Sequence, residues 1–227
     1  MYTLHIANKN YSSWSLRPWS MMKTAGIAFQ ESVHIFSTTD VNAEEFSKFS
    51  PTALVPCLVD GDVVVWESMA IMEYLAERHD GLWPTDPVAR AFARSASSEM
   101  HAGFFALRND CPMSVGIRMK LHQIGQGLQA NLDRLDALWC EGLDRFGGPF
   151  LAGDQFTIVD AMYCPVAFRI QTYDLPLSGN ALAYAARLRN VPAMQDWYAL
   201  GLAEPYRETQ HEDEINALGE LLEDLRA

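Results

Sequence analysis

The chain has 227 residues, of which 49% are hydrophobic and 20% are charged, proportions typical of a globular protein that buries its own core. Asp and Glu total 29 against 17 Lys and Arg, so the net charge is −12. This balance argues against partners that need a basic surface, namely nucleic acids and anionic membranes, and no apolar run reaches the roughly 18 residues of a membrane span.

The beginning of the chain mixes short strands with short helices. Residues 4–6 and 33–36 alternate apolar and polar side chains, which predicts two strands. Residues 18–25 between them predict a helix, with Ser15 as its N-cap. A strand, a crossover helix and a second strand favour a parallel pair. A further short helix is predicted over residues 43–49.

Two more strands and a helix complete this first unit. Residues 54–59 and 62–66 are rich in β-branched side chains and flank an Asp-Gly pair, which predicts a hairpin. A helix follows over residues 69–78, with Ser68 as its expected N-cap. The order βαβ–ββα is that of a thioredoxin-like domain, which we assign to residues 1–80.

Strand signals nearly vanish after residue 86, so residues 86–227 are predicted to form an all-helical domain. Thr157 and Asp160 have the spacing of a capping box, which predicts a helix start there. Other helices are expected over residues 88–108, 114–143, 181–189, from Pro192 onward and, on the surface, over residues 215–225.

The sequence shows no pattern typical of a metal site or of a disulfide framework. The four cysteines are far apart and the six histidines show no metal-ligand spacing, so we expect no metal and no disulfide framework. This cysteine usage and the lack of a secretory signal pattern at the start favour a reducing cytoplasm as the location.

Four features in order resemble the cytosolic glutathione transferases. They are the serine-rich turn at residues 11–15, the Val55-Pro56 pair, Glu67 followed by Ser68, and the capping box in a helical second half. The resemblance implies a thioredoxin-like domain followed by an all-α domain, glutathione as co-substrate, a small-molecule electrophile as second substrate, and a homodimer.

Within that superfamily the turn is similar to the S-S-C-x-x-R motif of the zeta class, which includes maleylacetoacetate isomerases. The similarity implies that Ser12 is the catalytic serine, and Ser13 is the alternative because a shift of one residue in the turn would exchange them. A hydroxyl donor near a helix N-terminus favours a thiolate over a thiol. Trp14 stands where the motif has cysteine. Arg17 holds the turn or adds positive potential.

The resemblance also implies the remaining glutathione contacts. A cis Val55-Pro56 bond lets the Val55 backbone pair with the cysteinyl part of glutathione. Glu67 accepts from the α-amino group, and Ser68 at a helix start binds the γ-glutamyl carboxylate. Trp14 either forms a wall of this site or only packs against the protein.

A second-substrate pocket is expected on the first long helix. If the two domains pack as in the family, His101, Phe104, Phe105 and Arg108 face the thiol and form an apolar pocket with a basic rim. The alternative is that this stripe belongs to the helical core.

Three functions remain open from the sequence. The first is a transferase that activates glutathione for attack on an electrophile. The second is a zeta-like cis-trans isomerase of a maleyl-type diacid, although the position of that class's carboxylate-binding arginine is Thr172 here, and Arg169 lies one turn earlier. The third is a non-catalytic interaction protein with the same fold.

Overall fold

A four-stranded mixed sheet organises the first part of the chain in the computed structural model, which describes residues 1–37 and 39–227. Its strands are β1 (Tyr2–Ala7), β2 (Phe29–His34), β3 (Cys57–Asp60) and β4 (Val63–Trp66), arranged in the order β2-β1-β3-β4. β1 is parallel to β2, whereas β3 is antiparallel to both β1 and β4. Helices α1 (Ser13–Thr24), α2 (Thr39–Phe46) and α3 (Ser68–Ala76) complete the predicted βαβ–ββα order.

The hairpin between β3 and β4 forms where the Asp-Gly pair predicts it. Asp60 pairs with Val63, and Gly61 has a φ of 59°, which a residue without Cβ adopts at little cost. The register of β1 on β3 places Leu4 opposite Leu58, and both side chains are fully buried.

Two predicted helix caps are wrong. Helix α1 begins five residues earlier than predicted, and Ser12 rather than Ser15 occupies its N-cap. The Ser15 hydroxyl is instead buried, where it accepts hydrogen bonds from the Ala7 backbone N–H at 3.3 Å and from the Ser12 hydroxyl at 2.7 Å. Helix α3 includes Ser68 as its first residue, and Glu67 occupies the N-cap with a φ of 68°.

The second part of the chain is mainly helical. Its helices are α4 (Pro87–Ala102), α5 (Phe105–Asp110), α6 (Gln126–Phe146), α7 (Ile158–Tyr173), α8 (Gly179–Arg189), α9 (Pro192–Leu202) and α10 (Thr209–Asn216). Every residue of α7 except Gln171 is buried, and α1 packs against this helix. The core of the protein is therefore continuous across the two parts. No helix within the described ranges is long and apolar enough to cross a membrane.

The predicted capping box at the start of α7 is confirmed. Asp160 accepts from the Thr157 backbone N–H at 2.9 Å and from the Leu151 backbone N–H at 3.0 Å. The Tyr184 hydroxyl donates to the same carboxylate at 2.7 Å. Asp160 is fully buried, so the box joins the start of α7 to α8 and to the preceding loop.

Three of the long helical predictions need correction. Residues 88–108 form two helices, because Gly103 is extended and Phe104 adopts a left-handed φ of 55°. Residues 114–143 do not form one helix: β5 (Ile117–Leu121) precedes α6. The predicted tail helix over residues 215–225 is wrong, because α10 ends at Asn216 and β6 (Gly219–Asp224) occupies most of that segment.

β5 and β6 form a small antiparallel sheet, so the second part is not entirely helical. Met119 pairs with Leu221, and Leu121 pairs with Gly219. Gly219 is needed at this contact, because a Cβ there would lie 2.2 Å from the Lys120 carbonyl oxygen. The leucines of the tail have helical spacing, but the unpaired edge of β5 provides a partner that local sequence does not reveal.

Candidate functional site

A cavity of about 610 Å³ lies where the first part of the chain meets the second. Residues from the turn before α1, the loop before β3 and the end of β4 form one side, and α5, α7 and α10 contribute to the other. The lining residues are Tyr11, Ser12, Ser13, Trp14, Phe36, Phe46, Thr52, Leu54, Val55, Pro56, Glu67, Arg108, Asn109, Pro112, Met113, Arg169, His211 and Glu214.

Both candidate serines line this cavity at the start of α1, but their hydroxyls are used differently. The Ser12 hydroxyl donates to Ser15 Oγ at 2.7 Å. The Ser13 hydroxyl oxygen accepts from Nη2 of Arg169 at 3.4 Å. The proton of Ser13 is therefore available to a ligand, whereas that of Ser12 is donated within the protein.

Residues of the second part hold the turn that carries these serines. The indole N–H of Trp197 donates to the Lys9 carbonyl at 2.8 Å. The Glu204 carboxylate accepts from the backbone N–H groups of Lys9 and Asn10 at 2.7 Å and 3.0 Å. The backbone N–H of Val115 donates to the Asn10 carbonyl at 3.2 Å. The position of the turn thus depends on helices and strands far along the chain.

The residues predicted to contact glutathione lie beside the serines. The Val55-Pro56 bond is cis, and both residues line the cavity. Glu67 also lines it, with a half-exposed side chain. Ser68 lies beneath the wall: it is fully buried, and its hydroxyl accepts from Nη1 of Arg17 at 3.4 Å.

Two arginines are buried at this site, and among the described residues neither has an acidic partner within hydrogen-bonding distance. Arg17 is fully buried, and burial together with the charges of Arg169 and Arg108 lowers its pKa to about 9. Arg169 is 4% exposed, and burial lowers its pKa to about 10. Nε and Nη2 of Arg17 and Nη1 of Arg169 have no hydrogen-bond partner among the described residues. A bound anion would offset part of the cost of burying these charges.

Trp14 lies between the cations of this site. The Arg17 guanidinium is 4.0 Å from the centroid of its indole ring, and that of Arg108 is 5.5 Å away. The ring of His101 meets the indole edge-on at 5.3 Å. Trp14 therefore both lines the cavity and shields the arginine beneath it, so the two roles considered for it coexist.

The four residues expected to form a second-substrate pocket are not brought together. Arg108 lines the cavity. His101 lies behind Trp14, with Nε2 3.9 Å from a Glu67 carboxylate oxygen. Phe104 is buried, and Phe105 is 64% exposed. The break after α4 turns these two phenylalanines away from the cavity, so the continuous helix assumed in the prediction placed their side chains incorrectly.

The position of the zeta-class arginine is also outside the cavity. Thr172 is buried and donates to the Ser114 carbonyl at 2.7 Å. Arg169, one turn earlier, does line the cavity, and its Nε donates to the Cys111 carbonyl at 2.7 Å.

The sequence analysis missed the cavity residues contributed by the tail and by the loop after β2. His211 and Glu214 lie on α10, and Phe36 follows β2. The ring of His211 stacks against those of Tyr11 and Phe36, at centroid distances of 5.2 Å and 5.5 Å. No local motif indicates this contact. The tail was predicted to be a helix on the surface, and its sequence does not show that it packs near the turn before α1.

Tyr11 precedes the serines, but its hydroxyl is already used in a hydrogen bond. It donates to Glu212 at 2.6 Å, and Glu212 is in turn paired with Arg226. Burial and this hydrogen bond raise the pKa of Tyr11 to about 12. The phenol is therefore a neutral donor to α10, and Ser13 is the residue at the start of α1 whose hydroxyl proton is available to a ligand. No group of three or more side chains suited to a metal ion is found in residues 1–37 and 39–227.

Comparisons with known proteins agree with this architecture. A family model described as the N-terminal domain of glutathione S-transferase matches residues 11–78, and one described as the C-terminal domain matches residues 118–200. The probable maleylacetoacetate isomerase of Caenorhabditis elegans is 30% identical over 182 residues, which cover 74% of this chain and 81% of the relative. The stringent starvation protein A homolog of Coxiella burnetii is 27% identical over 184 residues, covering 76% and 80%.

A solved structure supports the same fold. The glutathione transferase homolog from Burkholderia GL BGR1, with bound glutathione, matches with a TM-score of 0.65 at 21% identity, covering 88% of this chain and 97% of that chain. This likeness confirms the predicted thioredoxin-like part followed by a helical part.

Proposed function

The chain belongs to the glutathione S-transferase family, and from this premise we propose that it binds glutathione in the cavity and activates the thiol for attack on an electrophile. The observation that carries the proposal is that Ser13, Val55 and Glu67 lie on one wall of a single cavity. These are a hydroxyl donor, a backbone segment and a carboxylate, which suit the thiol, the cysteinyl backbone and the amino group of glutathione respectively.

Thiolate formation is the chemical task of this wall. A cysteine thiol has a pKa near 8.5 and is mostly protonated at neutral pH. The Ser13 hydroxyl can donate to a thiolate while its oxygen accepts from Arg169, so the positive charge of the arginine strengthens the donor. The motif favours Ser12 for this role, but the hydrogen bonds favour Ser13, and we propose Ser13 as the donor to sulfur.

Ser12 would then support the turn. Its hydroxyl donates to Ser15, whose oxygen also accepts from the Ala7 N–H at the end of β1. This chain of hydrogen bonds ties the start of α1 to the sheet. Ser12 thus holds the backbone amides of the first turn of α1 at the cavity, where they favour a negative charge.

Two measurements test the proposed function. Titration calorimetry with glutathione should show binding to the wild-type protein, and a chloronitrobenzene-type electrophile should be conjugated at a rate above that of glutathione alone. An absence of glutathione binding would remove the proposal. Binding without turnover of any electrophile would favour a non-catalytic interaction protein with the same fold.

The second candidate is an isomerase of a maleyl-type diacid. The observation that favours it is that Arg108 and Arg169 both line the cavity, so two cations face the space that a second substrate would occupy. A relative named as a probable maleylacetoacetate isomerase adds to this support. Glutathione-dependent turnover of maleylacetone that exceeds conjugation of the chloronitrobenzene would identify the isomerase as the main activity.

We also propose that the protein is a cytoplasmic homodimer. The exposed edge of the sheet presents apolar side chains that a second copy could cover, since Val64 is 37% exposed and Trp66 is 40% exposed. Sedimentation at micromolar concentration tests the dimer: the expected mass is twice the 25.5 kDa of the chain, and a mass equal to that of one chain would contradict it.

A further inference from the structure

His211 is the one imidazole on the cavity wall among the described residues. Its backbone N–H and its ring Nδ1 both lie 2.6 Å from the same carboxylate oxygen of Glu208, the N-cap of α10. When Nδ1 donates to this carboxylate, the lone pair of Nε2 is left for another partner. No other hydrogen bond of the His211 ring is found in the described part of the chain.

The ring is also fixed in orientation. Tyr11 stacks against it at an interplanar angle of 27°, and Phe36 does so at 16°. A proton transferred to this ring would be paired with the Glu208 carboxylate. Tyr11 directly precedes Ser12 in the chain, so this ring lies next to the turn that carries the serines.

A proton acceptor is needed if the cavity is to convert a thiol to a thiolate. The Ser13 hydroxyl is the proposed donor to sulfur and cannot keep its proton, and the Ser12 hydroxyl donates to Ser15. The phenol of Tyr11 is already protonated and donates to Glu212, while Arg108 and Arg169 are cations. Glu67 is engaged by the glutathione amino group in the proposed function, and the Glu214 carboxylate, which accepts from Gln210 at 2.9 Å, is a weaker base than an imidazole.

We propose that His211 is a catalytic base that accepts the proton of the glutathione thiol at Nε2, with Glu208 as its positioning residue. This inference rests on the proposed function. The S–H bond breaks, its electron pair stays on sulfur, and the proton forms a bond to Nε2. The resulting imidazolium is balanced by Glu208. Because the side chain is 35% exposed, the proton then passes to water.

The charged groups around His211 favour this transfer. Glu208 is the N-cap of α10, and Glu212 and Glu214 lie on this helix. Glu212 accepts a hydrogen bond from the Tyr11 hydroxyl. Arg226, which follows β6, pairs with Glu212 and with Asp224. The Glu208 carboxylate is the group that would balance a proton on the ring.

Chemical rescue tests the proposal. In His211→Ala, kcat/KM for conjugation at neutral pH should fall by about 100-fold, the usual contribution of a general base, while glutathione affinity measured by calorimetry stays within twofold. Added imidazole should restore a substantial part of the rate. Glu208→Gln keeps an acceptor for Nδ1 and should cause a smaller loss. His122→Ala, at an exposed histidine that does not line the cavity, is the matched control and should behave as wild type.

The outcomes separate this inference from the proposed function. A wild-type protein that binds no glutathione overturns both. A wild-type enzyme that conjugates glutathione, with a His211→Ala variant of equal kcat/KM, overturns the role of His211 alone. A loss of rate that imidazole does not restore assigns His211 a structural role and also overturns it.

Discussion

The guanidinium of Arg17 lies over the indole of Trp14, 4.0 Å from the ring centroid. Arg17 is fully buried, and the one hydrogen bond that its guanidinium makes in the described protein goes to the Ser68 hydroxyl. The tryptophan therefore replaces the cysteine of the zeta-like motif with a large face that covers a buried cation. Arg17 therefore connects Trp14 and Ser68, two of the residues predicted to contact glutathione.

Removing the indole should destabilise the protein. We expect Trp14→Ala to lower the free energy of unfolding by about 2–4 kcal/mol, because it deletes a desolvated cation–π contact and leaves a cavity above Arg17. Urea unfolding followed by circular dichroism measures the change. Trp66→Ala, on the exposed edge strand, is the control and should cost less than 1 kcal/mol if tested under monomeric conditions. Equal losses in the two variants would contradict the importance of the Arg17 contact.

Substitutions of the two serines should have different effects on the titration of the bound glutathione thiol. Glutathione bound to the wild-type protein should show thiolate absorbance at lower pH than free glutathione. Ser13→Ala should move this titration upward by about one unit, equivalent to 1.4 kcal/mol, because the donor polarised by Arg169 is lost. Ser12→Ala should move it less and mainly reduce stability.

A larger shift in Ser12→Ala than in Ser13→Ala would assign the sulfur donor to Ser12, as the motif predicts. Ser98→Ala, an exposed serine on α4, provides the control for the titration.

Asp160→Ala should be among the most destabilising single substitutions. It leaves the Leu151 and Thr157 backbone N–H groups and the Tyr184 hydroxyl unpaired in a fully buried site, so we expect a loss of about 3–5 kcal/mol. Thermal or urea unfolding tests this. Asp144→Ala, an exposed acid near the end of α6, should change stability by less than 0.5 kcal/mol. A comparable effect at both positions would show that the buried box contributes little.

Gly219→Ala should disrupt the pairing of β6 with β5. A Cβ at this position would meet the Lys120 carbonyl oxygen at 2.2 Å, and overpacking of this kind costs about 1–3 kcal/mol. Hydrogen exchange should show faster exchange of the backbone N–H groups of β5. Gly179→Ala is the control, since a Cβ there would contact nothing within 4 Å. Unchanged protection in Gly219→Ala would mean that β6 tolerates the added methyl group by shifting.

The features that could be predicted from the sequence are those determined by residues close together in the chain. The hairpin follows from an Asp-Gly pair between two β-branched runs, and the start of α7 follows from Thr157 and Asp160. The resemblance supplied the cis bond before Pro56, which a local pattern alone would not have indicated.

The remaining features depend on contacts between distant residues. β5 pairs with β6 across about 100 residues of sequence, and both segments also have helical periodicity when considered alone. The same pairing brings α10 to the turn before α1, which is why His211 was absent from the predicted site. Phe104 was misplaced because its left-handed backbone interrupts a helix whose side-chain periodicity is otherwise continuous.

The turn that presents the serines is anchored by Trp197 and Glu204, which lie almost 200 residues further along the chain. The halves of this protein are therefore not interchangeable modules, even though each matches its own family model. A chimera that joins the first 80 residues to the helical part of a relative would have to rebuild the core that α1 shares with α7. It would keep the chemistry only if the incoming helices also brought an acceptor for the Lys9 and Asn10 amides and a donor for the Lys9 carbonyl.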